Sequence, residues 1–165
     1  MLTQSKIKVT VIDDDLQMTE MLKDFIEQKY PAAEITGYAS GEEALDKIFE
    51  EPDMIILDYH LDSKNSEAMN GVQILKKLKD RYPNVHIVFV SGQEKAEVAA
   101  NTMKYGAYDY IVKNENAFQR LEIVVKNILG NAQLKKTAGA QKFFNYLLVA
   151  LIAALIIGII VVKMS

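Results

Sequence analysis

Carboxylates, a hydroxyl and an amine recur in this chain directly after short apolar runs. Asp13, Asp14 and Asp15 follow KIKVTVI (6–12), Asp58 follows MIIL (54–57), Ser91 and Gly92 follow HIVFV (86–90), and Lys113 follows YDYIV (108–112). Three adjacent acids repel one another, and partial burial strengthens the repulsion. A solvated turn or a bound cation would relieve it. Mg²⁺ is a hard cation that takes oxygen ligands, often a few carboxylates completed by water and phosphate. Asp58 can act as a nucleophile toward phosphorus and form an aspartyl phosphate. The transferred group spreads its charge over three oxygens, so the chemistry is mostly positioning and electrostatics. Mg²⁺, the Lys113 ammonium and the Ser91 hydroxyl would hold those oxygens, and Gly92 would leave room for them. Each residue alone reads as a turn, cap or surface residue. The chemistry depends on their convergence.

The elements between these residues supply that convergence. Strands are expected at 6–12, 34–38, 54–57, 86–90 and 108–112, and helices at 16–29, 41–49, 71–82, 94–105 and 117–129. In the first helix, Met18, Met21, Leu22, Phe25 and Ile26 share one face. Ser40 is placed as an N-cap, with Glu43 completing a capping box, and Gly106 as a helix stop. Strict alternation of strand and helix implies a parallel sheet wound on both faces. Nearly all-apolar strands fit a sheet buried on both sides. Ligands of such sheets bind beyond the carboxyl ends of the strands, where every residue named above falls.

The pieces VIDDD, PDMIILD, MNGVQIL, IVFVSG and YGAYDYIVK occur in the order of the receiver domain of two-component response regulators, which residues 5–130 resemble. The resemblance implies a flavodoxin-like fold, doubly wound, with five parallel strands in the order 2-1-3-4-5. It implies Asp58 as phosphoacceptor, served by a histidine kinase or phosphotransfer protein. It implies that Asp14, Asp58 and the backbone carbonyl of His60 ligate Mg²⁺, with Asp13 helping through water. Ser91 and Lys113 match the family's hydroxyl and lysine positions. Tyr110 matches the aromatic whose rotamer follows phosphorylation, coupled to Ser91. His60 and Gln93 occupy positions that tune dephosphorylation. Asp15 has no implied ligand role and reads as an acid at a helix start.

Two features depart from the family pattern. Lys113 is followed by Asn114 where a proline in a cis bond is common, so the Lys113 loop is expected to be set differently. The loop 59–70 is about five residues longer than usual. It reads as ordinary surface variation, with a lid or partner contact as the alternative.

Composition narrows the remaining classes. The chain has 165 residues, half of them hydrophobic, no cysteine and two histidines, His60 and His86. Disulfides and thiolate metal sites are excluded. All 22 acids and 15 of the 19 bases lie in residues 1–130, which argues against nucleic-acid binding by that part. Residues 131–142 read as a basic linker. Residues 143–162, FFNYLLVALIAALIIGIIVV, contain no charge and are long enough to cross a bilayer. The expected organisation is a receiver at 1–130, a linker at 131–142, a single transmembrane helix at 143–162 and a tail at 163–165. Three lysines before the run and one after it place the receiver on the cytoplasmic side of the cytoplasmic membrane. Ala150, Ala154 and Gly158 form a small-residue face that could join two such helices into a homodimer. With no second folded domain expected, output falls to contact with a downstream protein. Two alternatives stand beside this reading. One is a phosphatase of the haloacid dehalogenase type, suggested by Asp-x-Asp in DDD. The other is a binding module that works without phosphorylation.

Overall fold

The structure, a computed structural model, describes residues 6–61 and 68–164; the side chains of residues 131–138, 140, 151 and 153–164 lie outside that description. Five strands alternate with five helices. They are β1 (Lys8–Ile12), α1 (Leu16–Lys29), β2 (Glu34–Tyr38), α2 (Gly41–Lys47), β3 (Met54–Leu57), α3 (Gly71–Arg81), β4 (His86–Ser91), α4 (Ala96–Lys104), β5 (Asp109–Val112) and α5 (Ala117–Met164). All neighbouring strands pair in parallel, in the order β2-β1-β3-β4-β5.

The period-two alternation of strand side chains divides the core into two layers. Val9, Val11, Met54, Ile56, Val88, Val90 and Ile111 face α1 and the start of α5, meeting Leu22, Ile26, Leu121 and Val125. Ile12, Ile55, Leu57, Ile87, Phe89 and Tyr110 face the other way, onto Ala44, Ile74, Leu75 and Leu78 of α2 and α3. Each fully buried Leu or Ile contributes roughly 1.5–3 kcal/mol relative to exposure. Both faces of the sheet are therefore committed, which is why β3 is apolar at every position.

Register aligns the strand ends. Ile12 pairs with Leu57, Leu57 with Phe89, and Phe89 with Tyr110. Asp13 and Asp58 follow directly, Ser91 ends β4 opposite Val112, and Lys113 follows Val112, so all four fall along one edge.

Several local expectations need correction. Met21 is half-exposed, while Thr19 takes a buried place beside Leu22 and Ile26. Ser40 does cap α2, its Oγ accepting from the Glu43 N–H at 3.1 Å. The Glu43 carboxylate, however, accepts from the Ala39 N–H at 3.4 Å and not from the cap residue, so no closed box forms. The reciprocal box sits at Asn70 and Gln73 at the head of α3. Gly106 ends α4 with φ +93°, the left-handed geometry that glycine adopts without strain.

The chain divides into two units, Met1–Gly130 and Asn131–Ser165. Residues 131–142, expected as a linker, are helical, part of the 48-residue α5. Among the described residues no helix is long and apolar enough to cross a membrane. Most of the run 143–162, including Ala154 and Gly158, lies outside the described side chains. The described part, Phe143 to Val149 with Ile152, exposes its large apolar side chains.

Candidate functional site

Three carboxylates converge where the strands end. Asp13, Asp14 and Asp58 each offer an oxygen within 4.8 Å of the others, with Asp13 and Asp58 buried and Asp14 half-buried. The backbone fixes two of them from beneath: the Asp13 N–H donates to Tyr38 O at 3.1 Å, and the Asp58 N–H donates to Ile12 O at 2.9 Å. Asp15, the third acid of the run, turns away. It is the N-cap of α1, its Oδ1 accepting from the N–H groups of Gln17 at 2.9 Å and Met18 at 3.3 Å. The acidic run therefore splits into two residues for the site and one for the helix.

Lys113 provides the opposing charge. Its Nζ donates to Asp13 Oδ2 at 2.9 Å and stands 3.3 Å from Asp58 Oδ1. The second contact is an ion pair without hydrogen-bond geometry. Among the described residues Asp58 Oδ1 is a buried oxygen with no hydrogen-bond partner, while Oδ2 accepts from the His60 N–H at 3.0 Å. Burial pushes the Asp13 carboxyl above the ordinary carboxylate range, partly offset by hydrogen bonds from the Asp15 N–H and Lys113. Burial also works against the Lys113 ammonium. Its hydrogen bond to Asp13 and the negative charges of Asp58 and Asp13 outweigh that, and its pKa is raised. One ammonium serves the two buried carboxylates, Asp13 and Asp58. An all-oxygen donor set with an unpartnered buried oxygen fits Mg²⁺ as cofactor.

Asn114 does not displace the lysine. No cis peptide bond occurs among the described residues, yet Lys113 reaches both acids. Its N–H is tied to Ser91 O at 2.8 Å. Asn114 instead organises the start of α5, its Oδ1 accepting from the Asn116 N–H at 3.0 Å.

Ser91 is fully buried and its Oγ accepts from the Gln93 N–H at 3.2 Å. Tyr110 is buried and its hydroxyl donates to the Gln93 carbonyl at 2.7 Å. Burial raises the Tyr110 phenol pKa, with Ser91 pulling it back. Gln93 thus joins the site through its backbone. His60 is exposed and stands edge-on to Tyr59, with ring centroids 4.9 Å apart. Gly92 is exposed, and a Cβ there would meet nothing within 4 Å, so no protein group demands a glycine at this position. Ala150 is exposed on α5, in the other unit.

Sequence reasoning passed over two contributors. Gly71 opens α3 directly against the segment that follows β3: a Cβ there would lie 2.5 Å from Asp58 O, 2.9 Å from Tyr59 Cα and 3.0 Å from Phe89 Cε1. Phe89 lies between, stacked on Tyr110 at 6.0 Å and tilted to Tyr59 at 6.5 Å. A glycine beside Asn in MNG signals a helix start, but the close approach exists only once the chain is folded.

Comparison with known proteins agrees with this geometry. The family model described as response regulator receiver domain matches residues 9–126. The chain is 37% identical over 145 residues to a protein-glutamate methylesterase/protein-glutamine glutaminase of Pyrococcus horikoshii, covering 84% of this chain and 37% of that protein. It is 37% identical over 110 residues to the protein of the same name from Bacillus subtilis, covering 65% of this chain and 29% of that one. The chain spans about a third of the length of these curated relatives. Among solved structures, a response regulator receiver domain protein from Methanospirillum hungatei superposes with a TM-score of 0.64 at 26% identity, covering 80% of this chain and 99% of that one. A matched family model over most of the chain, a five-stranded sheet in the order β2-β1-β3-β4-β5, and an acidic cluster facing one lysine lead to a single assignment: this chain belongs to the response regulator receiver domain family.

Proposed function

We propose that the chain is a signalling phosphoacceptor that takes a phosphoryl group on Asp58 from a histidine kinase or phosphotransfer protein. The observation that carries this is Asp58 Oδ1, buried, without a hydrogen-bond partner among the described residues, and 3.3 Å from the Lys113 ammonium. Asp58 attacks the phosphorus of the donor's phosphohistidine; the new O–P bond forms as the P–N bond breaks, and the electron pair stays on the imidazole nitrogen. Lys113 offsets the charge gathered at the site, and Ser91 offers a hydroxyl to a phosphoryl oxygen. Asp14, Asp58 and the backbone carbonyl of His60 would hold Mg²⁺, with Asp13 helping through water, and the bound ion would neutralise charge on the phosphoryl oxygens. His60 and Gln93 tune the lifetime of the product. Output runs through the Ser91–Gln93–Tyr110 contacts to the surface that a downstream protein reads. The test is labelling by acetyl phosphate: it is expected to require Mg²⁺ and to vanish in Asp58→Asn, and labelling of that variant at wild-type stoichiometry would overturn the assignment.

We infer further that the chain is anchored in the cytoplasmic membrane by residues 143–162, with the receiver in the cytoplasm. The uncharged run supports this, as do the lysines at 135, 136 and 142 before it. So do the large apolar side chains exposed from Phe143 to Ile152. A helix apolar all round matches lipid better than water. The full chain should pellet with membranes and resist carbonate extraction; recovery in the soluble fraction would overturn the anchor.

A further inference from the structure

Phe49 is 86% exposed, more than any other large apolar side chain among the described residues. It follows the short helix α2, which ends at Lys47. Because α2 stops after seven residues, the α2 side of β1 and β2 is left partly open. A groove of about 250 Å³ lies there, beside Phe49 and floored by Thr10, Thr36, Tyr38, Ile48 and Pro52. β2 is an edge of the sheet, and Thr36 at its centre is exposed. A protruding phenyl ring and an open groove thus belong to one patch.

The charges around the groove are balanced. Lys8 and Lys47 stand with Glu34 and Glu50 on its rim, with Lys8 paired to Glu50 and Lys47 to Glu43. Residues 1–130 as a whole carry 22 acids against 15 bases, so two copies approaching by an average face repel each other. At this patch each lysine of one copy can meet a glutamate of another. An interface about a two-fold axis must be self-complementary, with the same patch supplying both projection and recess.

We propose that this patch is a self-association surface on which two copies dock, the Phe49 ring of each entering the groove of the other. The patch is small beside the roughly 800 Å² per partner of a standard stable interface. The dimer is therefore weak and concentration-dependent, with Phe49 as its aromatic anchor. It is separate from the phosphorylation site and does not depend on that reading.

The chain has no cysteine, so a single introduced thiol reports position cleanly. Full chain carrying Glu34→Cys on the rim is treated with a bismaleimide, beside full chain carrying Glu27→Cys, an exposed position on α1. Covalent dimer should form faster through position 34 than through position 27. Adding Phe49→Glu to Glu34→Cys should cut the rate about tenfold, the loss typical of an aromatic anchor, with acetyl phosphate labelling unchanged as the control for folding. If Phe49→Glu fails to label, Phe49→Ser replaces it in the same comparison. Equal rates at positions 34 and 27, or a rate at 34 indifferent to loss of Phe49, would overturn the proposal.

Discussion

Lys113 Nζ donates to Asp13 Oδ2 at 2.9 Å across a separation of one hundred residues, tying the end of β5 to the end of β1. Among the described residues, removing the lysine leaves Asp13 and Asp58 buried with no basic side chain paired to them. Lys113→Met should destabilise the metal-free protein by about 3 kcal/mol, the scale for breaking a buried pair from one side. Millimolar Mg²⁺ should recover part of that loss. Urea unfolding with and without Mg²⁺ measures both effects. Equal stability of variant and wild type without metal would show that the pair contributes nothing.

Asp13 makes stability depend on pH in a direction that follows from its raised pKa. Its ordinary value is 3.8, and burial raises it in the fold. The folded state therefore holds the proton more tightly than the unfolded chain. This contribution is fully present below pH 3.8 and is lost as pH rises through the folded value. Mg²⁺ competes with that proton. The increase in Tm produced by Mg²⁺ should shrink as pH falls through the folded Asp13 value, and Asp13→Asn should remove that pH dependence. Thermal melts between pH 4 and pH 8 (about the window that carboxylate titration and neutrality define) test it.

Gly71 and Gly92 both flank the site, but they should respond oppositely to a methyl group. Gly71→Ala places Cβ against the Asp58 carbonyl and the Phe89 ring. It should cost about 1–3 kcal/mol as overpacking and slow labelling of Asp58. Gly92→Ala meets open space and should stay within about 0.5 kcal/mol of wild type. Chemical denaturation of the two variants, run in parallel, separates them.

Asp15 should act only on the helix. Asp15→Ala removes the cap of the Gln17 and Met18 N–H groups and should cost about 1 kcal/mol. The rate of Mg²⁺-dependent labelling should hold. A slowed rate with unchanged stability would move Asp15 into the site.

The legible and illegible parts of this molecule differ in range. Strand and helix positions followed from apolar runs, because a sheet covered on both faces needs β3 to be apolar throughout. Convergence of Asp13, Asp58, Ser91 and Lys113 followed from alternation alone, because parallel strands send all their carboxyl ends to one edge. The partition of the acidic run was also readable, since Asp15 precedes the helix directly. What escaped depends on three-dimensional distance. The wedge of Gly71 against Asp58 is a long-range contact with no periodic signature. Met21 lost its place because the buried stripe runs through Thr19, Leu22 and Ile26. The helical state of residues 131–142 was hidden by Gly139 and three lysines that read locally as a linker.

The central claim is that phosphoryl transfer ends on Asp58, and borohydride trapping tests it most directly. Full chain is labelled with acetyl phosphate in Mg²⁺, and the acyl phosphate is reduced. Peptide sequencing by mass spectrometry then locates the homoserine that reduction leaves in place of the phosphorylated aspartate. The account predicts homoserine at position 58 and unmodified aspartate at 13, 14 and 15. Homoserine at any of those three positions, with Asp58 intact, would contradict it.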